Sequence, residues 1–131
     1  MIRKFFVFVV SVLYLTTPFH RAYADDWSPV LVLANGDQIM WKLHQVVETK
    51  ERFLVDELRD LSQIHDGIKS FVTHFEIDCR QERIREISYD YYEKSGAVDL
   101  IKTQDIKPNR QRWAYSQWNE YVKFMTDYFC E

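Results

Sequence analysis

The chain has 131 residues, 47% of them hydrophobic, with 17 Lys plus Arg against 20 Asp plus Glu and only three Gly and three Pro. That composition excludes a disordered tail or a collagen-like repeat and leaves room for one folded domain. Residues 1–24 hold three of the basic residues (Arg3, Lys4 and Arg21) and no acidic one, so residues 25–131 carry 14 basic against 20 acidic groups, a net −6 with His neutral. Such a balance disfavours nonspecific binding to nucleic acid or to an anionic membrane.

Arg3 and Lys4 make a positive start, Phe5 to Leu15 is apolar except for Ser11, and Ala22-Tyr23-Ala24 offers a small-x-small cleavage pattern. These features predict a signal peptide over 1–24, with Asp25 opening the mature domain 25–131. As a membrane anchor, about 11 apolar residues give only ~16 Å of helix against roughly 30 Å of hydrocarbon. With no Cys at the cleavage site, the mature chain is expected to be periplasmic or secreted, not lipid-anchored and not inserted in a membrane.

Trp27 to Ala34, the turn Asn35-Gly36-Asp37 and Gln38 to Leu43 predict a first hairpin. Glu48 to Ile64 is ambiguous: Leu54, Leu58, Leu61 and Ile64 suit a helix, whereas neighbouring hairpins favour a strand. Residues 70–79 alternate, with Phe71, Thr73, Phe75, Ile77 and Cys79 on one face and Val72, His74, Glu76 and Asp78 on the other. This predicts a strand with one side buried. Ile84 to Tyr92 forms its hairpin partner, with Ile87, Tyr89 and Tyr91 in phase and Ile84 out of phase at an expected bulge. Ser116 is placed to cap a closing helix whose stripe runs through Trp118, Tyr121, Val122, Met125, Tyr128 and Phe129.

The only cysteines, Cys79 and Cys130, meet an oxidising compartment if the chain is exported, which predicts a disulfide tying the helix to the end of a strand. The histidines of residues 25–131, His44, His65 and His74, lack ligand spacing, and nucleophile and phosphate-loop motifs are missing. No catalytic residue, metal site or cofactor is therefore expected. Glu76 and Asp78 are expected to be solvated strand carboxylates, and His74 a surface hydrogen-bonding group beside them. Arg80, Arg83 and Arg85 form one basic cluster, and Lys102, Lys107, Arg110 and Arg112 a second before Trp113. Either blunts loops and sheet edges or meets an acidic partner.

Taken together, Trp27, Arg59-Asp60, Ser70, Glu76-Ile77-Asp78-Cys79, Arg85, Ser88, Tyr89 to Tyr92, Gly96, Trp113, Ser116 and Cys130 resemble the surface-adhesin protein E family of small exported bacterial domains. The resemblance covers nearly all of residues 27–130. It implies that Phe53 to Leu58 is strand, that the sheet is antiparallel with a C-terminal helix, and that the chain binds a protein ligand of host matrix or envelope. The resulting expectation is an α+β domain, mainly an antiparallel sheet of about five or six strands with one C-terminal helix packed on it and one disulfide. Binding is assigned to Arg80, Arg83, Arg85, Tyr92, Arg110 and Arg112, and a homodimer through an open sheet edge is compatible with the fold. The rival reading is a periplasmic enzyme or enzyme inhibitor whose site is assembled from distant residues.

Overall fold

The computed structural model describes residues 27–130; the signal peptide expected over 1–24 lies outside them. The chain runs as an antiparallel meander of β1 (Ser28–Val32), β2 (Gln38–Glu48), β3 (Arg52–His65), β4 (Ile68–Asp78), β5 (Arg83–Lys94) and β6 (Val98–Asp105), each strand pairing the next. A two-residue strand, β7 (Ala114–Tyr115), pairs with β5, and the chain closes with helix α1 (Glu120–Cys130). The α+β architecture, the C-terminal helix and the Cys79–Cys130 disulfide all follow the sequence reading.

The first turn forms as its residues dictate. Leu33 N–H donates to Asp37 O at 2.8 Å, and Gly36 takes φ +95° where a Cβ would stand 3.1 Å from the Ser62 Cβ, so the position favours glycine twice over. The Asp37 carboxylate then receives Ser62 N–H at 2.9 Å and the Arg59 guanidinium at 2.8 Å, locking the turn onto β3.

Residues 52–65 form a strand, which resolves the ambiguity and extends the strand implied for Phe53 to Leu58. Its apolar spacing imitates a helix because β3 is covered on both faces in its middle: Val55 is buried toward the helix side and Leu58 in a cluster with Met40 and Val72 on the other. The same double cover corrects the reading of β4 as one-sided, since Val72, Glu76 and Asp78 are buried together with Phe75 and Ile77.

Two local expectations also change. The bulge expected in β5 is present but falls at Ile87, opposite the step from His74 to Phe75, and through it Ile84, paired with Ile77 in the core, comes to the same face as Tyr89 and Tyr91. Ser116 does not cap the helix: Ser116–Trp118 is a 3-10 turn, and the Asn119 Oδ1 accepts from Tyr121 N–H at 2.9 Å and Val122 N–H at 3.2 Å. Trp118 therefore leaves the stripe and is 80% exposed. Asn is as good a cap as Ser, and the extra 3-10 turn is what shifted the start.

The helix-side core is Ile39, Trp41, Val55, Phe75, Ile77 and Ile84 against Val122 and Met125. The buried Trp41 ring is ringed by Tyr121, Phe124, Tyr128 and Phe129 with centroids 5.0–6.1 Å away. Its Nε1–H donates at 2.8 Å to Glu57 Oε1, which also accepts from the Tyr121 hydroxyl. Burial pushes the Glu57 carboxyl above its usual range even so. At the far end of the helix the disulfide closes a sequence separation of 51 residues. Replacing Cys79 and Cys130 together by Ser is expected to lower the unfolding free energy by about 4 kcal/mol, read by urea denaturation. A loss under about 1 kcal/mol would mean that aromatic packing alone holds α1 on the sheet.

Candidate binding surface

The sheet face opposite α1 is built on buried charge. Glu76 and Asp78, 7% and 4% exposed, project from β4 into this face. Their neighbours across the hairpin are Arg85 and Arg83, because the turn at 79–82 sets Glu76 opposite Arg85 and Asp78 opposite Arg83. Arg85 Nη2 lies 2.7 Å and Arg52 Nη1 3.0 Å from the two Glu76 oxygens, while Arg83 Nε donates to Asp78 Oδ2 at 2.9 Å. Burial acts to raise Asp78, but the hydrogen bonds from Arg83 and Gln81 outweigh it and hold the carboxyl below its ordinary value. These carboxylates are structural ion pairs, which corrects the expectation that they are solvated.

Trp113 lies across the paired guanidiniums, its ring centre 4.0 Å from Arg83 Cζ and 4.4 Å from Arg85 Cζ. Arg83 also donates to the Tyr115 hydroxyl at 3.2 Å. Residues 106–113, an excursion of the edge strand between β6 and β7, are thereby fastened to the sheet. Inside the excursion Gln111 Nε2 donates to Ile106 O at 3.0 Å and Arg112 Nη1 to Asn109 O at 3.0 Å. Between the excursion and β5 lies an open depression of about 300 Å³ lined by Ile84, Arg85, Glu86, Ile106, Arg110 and Arg112 among others.

The six residues assigned to binding thus separate. Arg85, Arg110 and Arg112 meet at this depression, with Arg83 behind Trp113. Arg80 is exposed on the neighbouring turn and paired with Glu51 at 2.5 Å. Tyr92 sits at the other end of the face, packed on Met40, Leu58 and Val72. Trp113 carried no role in the sequence reading beyond family resemblance. The alternation Arg83, Arg85 facing Glu76, Asp78 across a four-residue turn is the signal that would have found the ion-pair column under it.

Midway along the same face, His74 bridges three strands. Its Nδ1 is 2.7 Å from Asp56 Oδ1 and its Nε2 2.8 Å from Asp90 Oδ2, and Thr103 Oγ1 donates to the other Asp90 oxygen at 2.7 Å. His44 approaches Asp56 at 3.3 Å, and an open depression of about 340 Å³ lies beside the group. The Asp56 hydrogen bond first, and then Asp90, raise the His74 pKa to about 9 against the opposing effect of burial. Half-buried rather than a surface group, His74 is an imidazolium donating from both nitrogens. Among the described residues, no group of three or more His, Cys, Asp or Glu side chains is arranged to hold a metal ion.

Because the folded chain favours the imidazolium, its stabilising contribution is whole below the ordinary value of 6.5 and disappears as pH rises through about 9. Unfolding free energy is expected to decline across that window in wild type, and His74→Gln to flatten the decline. Identical slopes in denaturant titrations of the two proteins would remove His74 as the cause.

No helix among the described residues is long and apolar enough to cross a membrane. No curated protein matches the chain. Residues 27–131 match the model of the family described as surface-adhesin protein E, a span that holds the whole sheet, the Arg–carboxylate column and the disulfide-tied helix, and the chain belongs to that family.

Proposed function

We propose that the protein is exported through residues 1–24 and acts, without a lipid anchor, as a noncatalytic binding protein for a protein ligand of the envelope or host matrix. The observation that carries this reading is the excursion at 106–113. It presents Arg110 and Arg112 to solvent on a braced loop, and among the described residues neither cation has a carboxylate partner, in contrast to Arg80, Arg83 and Arg85. Unpaired cations on a braced loop beside a depression are suited to meeting a partner's negative charge. An open outer edge on β6, whose Val98, Leu100 and Ile101 are exposed, supports the further proposal of a homodimer through that edge.

The enzyme or inhibitor reading draws on His74 beside Asp56 and Asp90 at an open depression. A general base needs a free ring nitrogen within reach of a substrate proton. Both His74 nitrogens are already tied to carboxylates, and the group stays protonated at neutral pH, so the arrangement favours structure over catalysis.

The test is capture. The full chain, exported from a bacterial host and immobilised, is expected to retain specific proteins from periplasmic and matrix extracts, and Arg110→Ala/Arg112→Ala to retain about tenfold less. Failure of the wild-type protein to retain any would overturn the binding reading. Sedimentation equilibrium is expected to give a dimer mass that Leu100→Lys/Ile101→Lys shifts to monomer; a wild-type monomer at every concentration would dispose of the edge pairing.

A further inference from the structure

Resting on the reading that the chain binds a protein, we propose that the notch beside the excursion receives a short, extended acidic peptide segment, one carrying a carboxylate side chain next to an apolar one. The notch exists because the outer edge of β5 is paired in two separate pieces. β6 covers it from Lys94 to Ser88, and β7 covers only Ile84 and Arg83. Ile87 O is met by Ile106 N–H at 2.9 Å, but among the described residues Arg85 and Glu86 have no strand partner on that side. A sheet edge left open over a short stretch is a place where another extended chain pairs.

The lining defines what that chain carries. Ile84, Ile106 and Ala114 supply apolar surface, and Arg110 and Arg112 supply charge on the outer wall. Arg85 also lines the notch but is neutralised by Glu76 at 2.7 Å. Glu86 is the acidic lining residue, and it accepts the Tyr89 hydroxyl. The balance is two uncompensated guanidiniums against one carboxylate, a local positive spot on a domain of residues 25–131 whose net charge is −6.

That contrast of scales selects the ligand. Arginine forks fit carboxylates bidentately, so one or two acidic side chains at the spot are attracted. A dense polyanion, whether sulfated glycan or nucleic acid, also meets the net charge of −6 carried by residues 25–131 and is disfavoured by it. The volume of about 300 Å³ likewise suits a side chain or two rather than a folded element.

The test uses fluorescence anisotropy on the exported full-length protein with three probes: a labelled peptide alternating Asp and Leu, the same peptide with Asn for Asp, and a labelled heparin oligosaccharide. The acidic peptide is expected to bind, with affinity falling as salt rises. Affinity is expected to drop about tenfold in Arg110→Ala/Arg112→Ala and for the Asn peptide. Glu86→Gln is expected to tighten the acidic peptide severalfold, a gain that a misfolded variant does not produce. Trp113→Ala is expected to weaken it while circular dichroism stays native, because the excursion loses its stack on Arg83 and Arg85. Equal affinity for the acidic and Asn peptides, tighter heparin binding, or no peptide binding at millimolar concentration would each overturn the proposal. Protein capture that persists in Arg110→Ala/Arg112→Ala would do so too while leaving the binding function standing, whereas loss of all capture in wild type removes both.

Discussion

The structure turns on two carboxylates that β4 takes out of water. Burying Glu76 and Asp78 on the face away from the helix costs several kcal/mol per charge unless cations accompany them. Arg52, Arg83 and Arg85 do so, from the strands on either side. The pairing fixes the register of β3 and β5 against β4, since a slip of one residue would bring the arginines out on the opposite face and leave the acids uncompensated. It also supplies the flat cationic platform on which Trp113 lies, so the position of the excursion follows from the neutralisation of β4.

The disulfide belongs to the same mechanical unit. Cys79 follows Asp78 directly, and its N–H donates to Glu51 O at 2.8 Å. Asp78 Oδ1 in turn accepts from Arg80 N–H at 3.1 Å, organising the turn that leads into Arg83. Cys130 brings the end of α1 onto this turn. Helix, turn, ion-pair column and excursion are therefore contiguous, and the rigidity of the cationic loop is inherited from the opposite layer of the domain.

What could be read in advance was whatever depended on local period or on pairing only two candidates. The hairpin at Asn35-Gly36-Asp37, the strand at 70–79, the helical stripe through Val122 and Met125, and the only possible cysteine pair were all legible. β3 was not, because a strand covered on both faces loses the two-residue alternation and its leucines fall at helical spacing by coincidence. Glu76 and Asp78 were misread because charge predicts exposure only when no partner is at hand, and partners lie across strands. His74 was misread for the same reason: Asp56 and Asp90 are 18 and 16 residues away in sequence but adjacent across the sheet. The basic clusters were visible as composition, yet sorting Arg110 and Arg112 from Arg83 and Arg85 required knowing which already had a carboxylate.

The interrupted edge strand has a bland explanation, that a break and a pair of arginines protect a sheet edge from aggregation. Protection alone is served by a charge or a bulge within a continuous strand. Here the chain instead leaves the edge after Asp105 and returns at Ala114, lengthening the connection and raising its entropy of closure. It then recovers order through the Gln111 bond to Ile106 O, the Arg112 bond to Asn109 O and the Trp113 stack. Meanwhile β6, the longer stretch of the same edge, keeps exposed Val98, Leu100 and Ile101 with no such cover among the described residues. A device for protection would sit where the exposed apolar edge is longest. One that opens a basic notch where the edge is shortest, and braces it internally, fits recognition better than concealment.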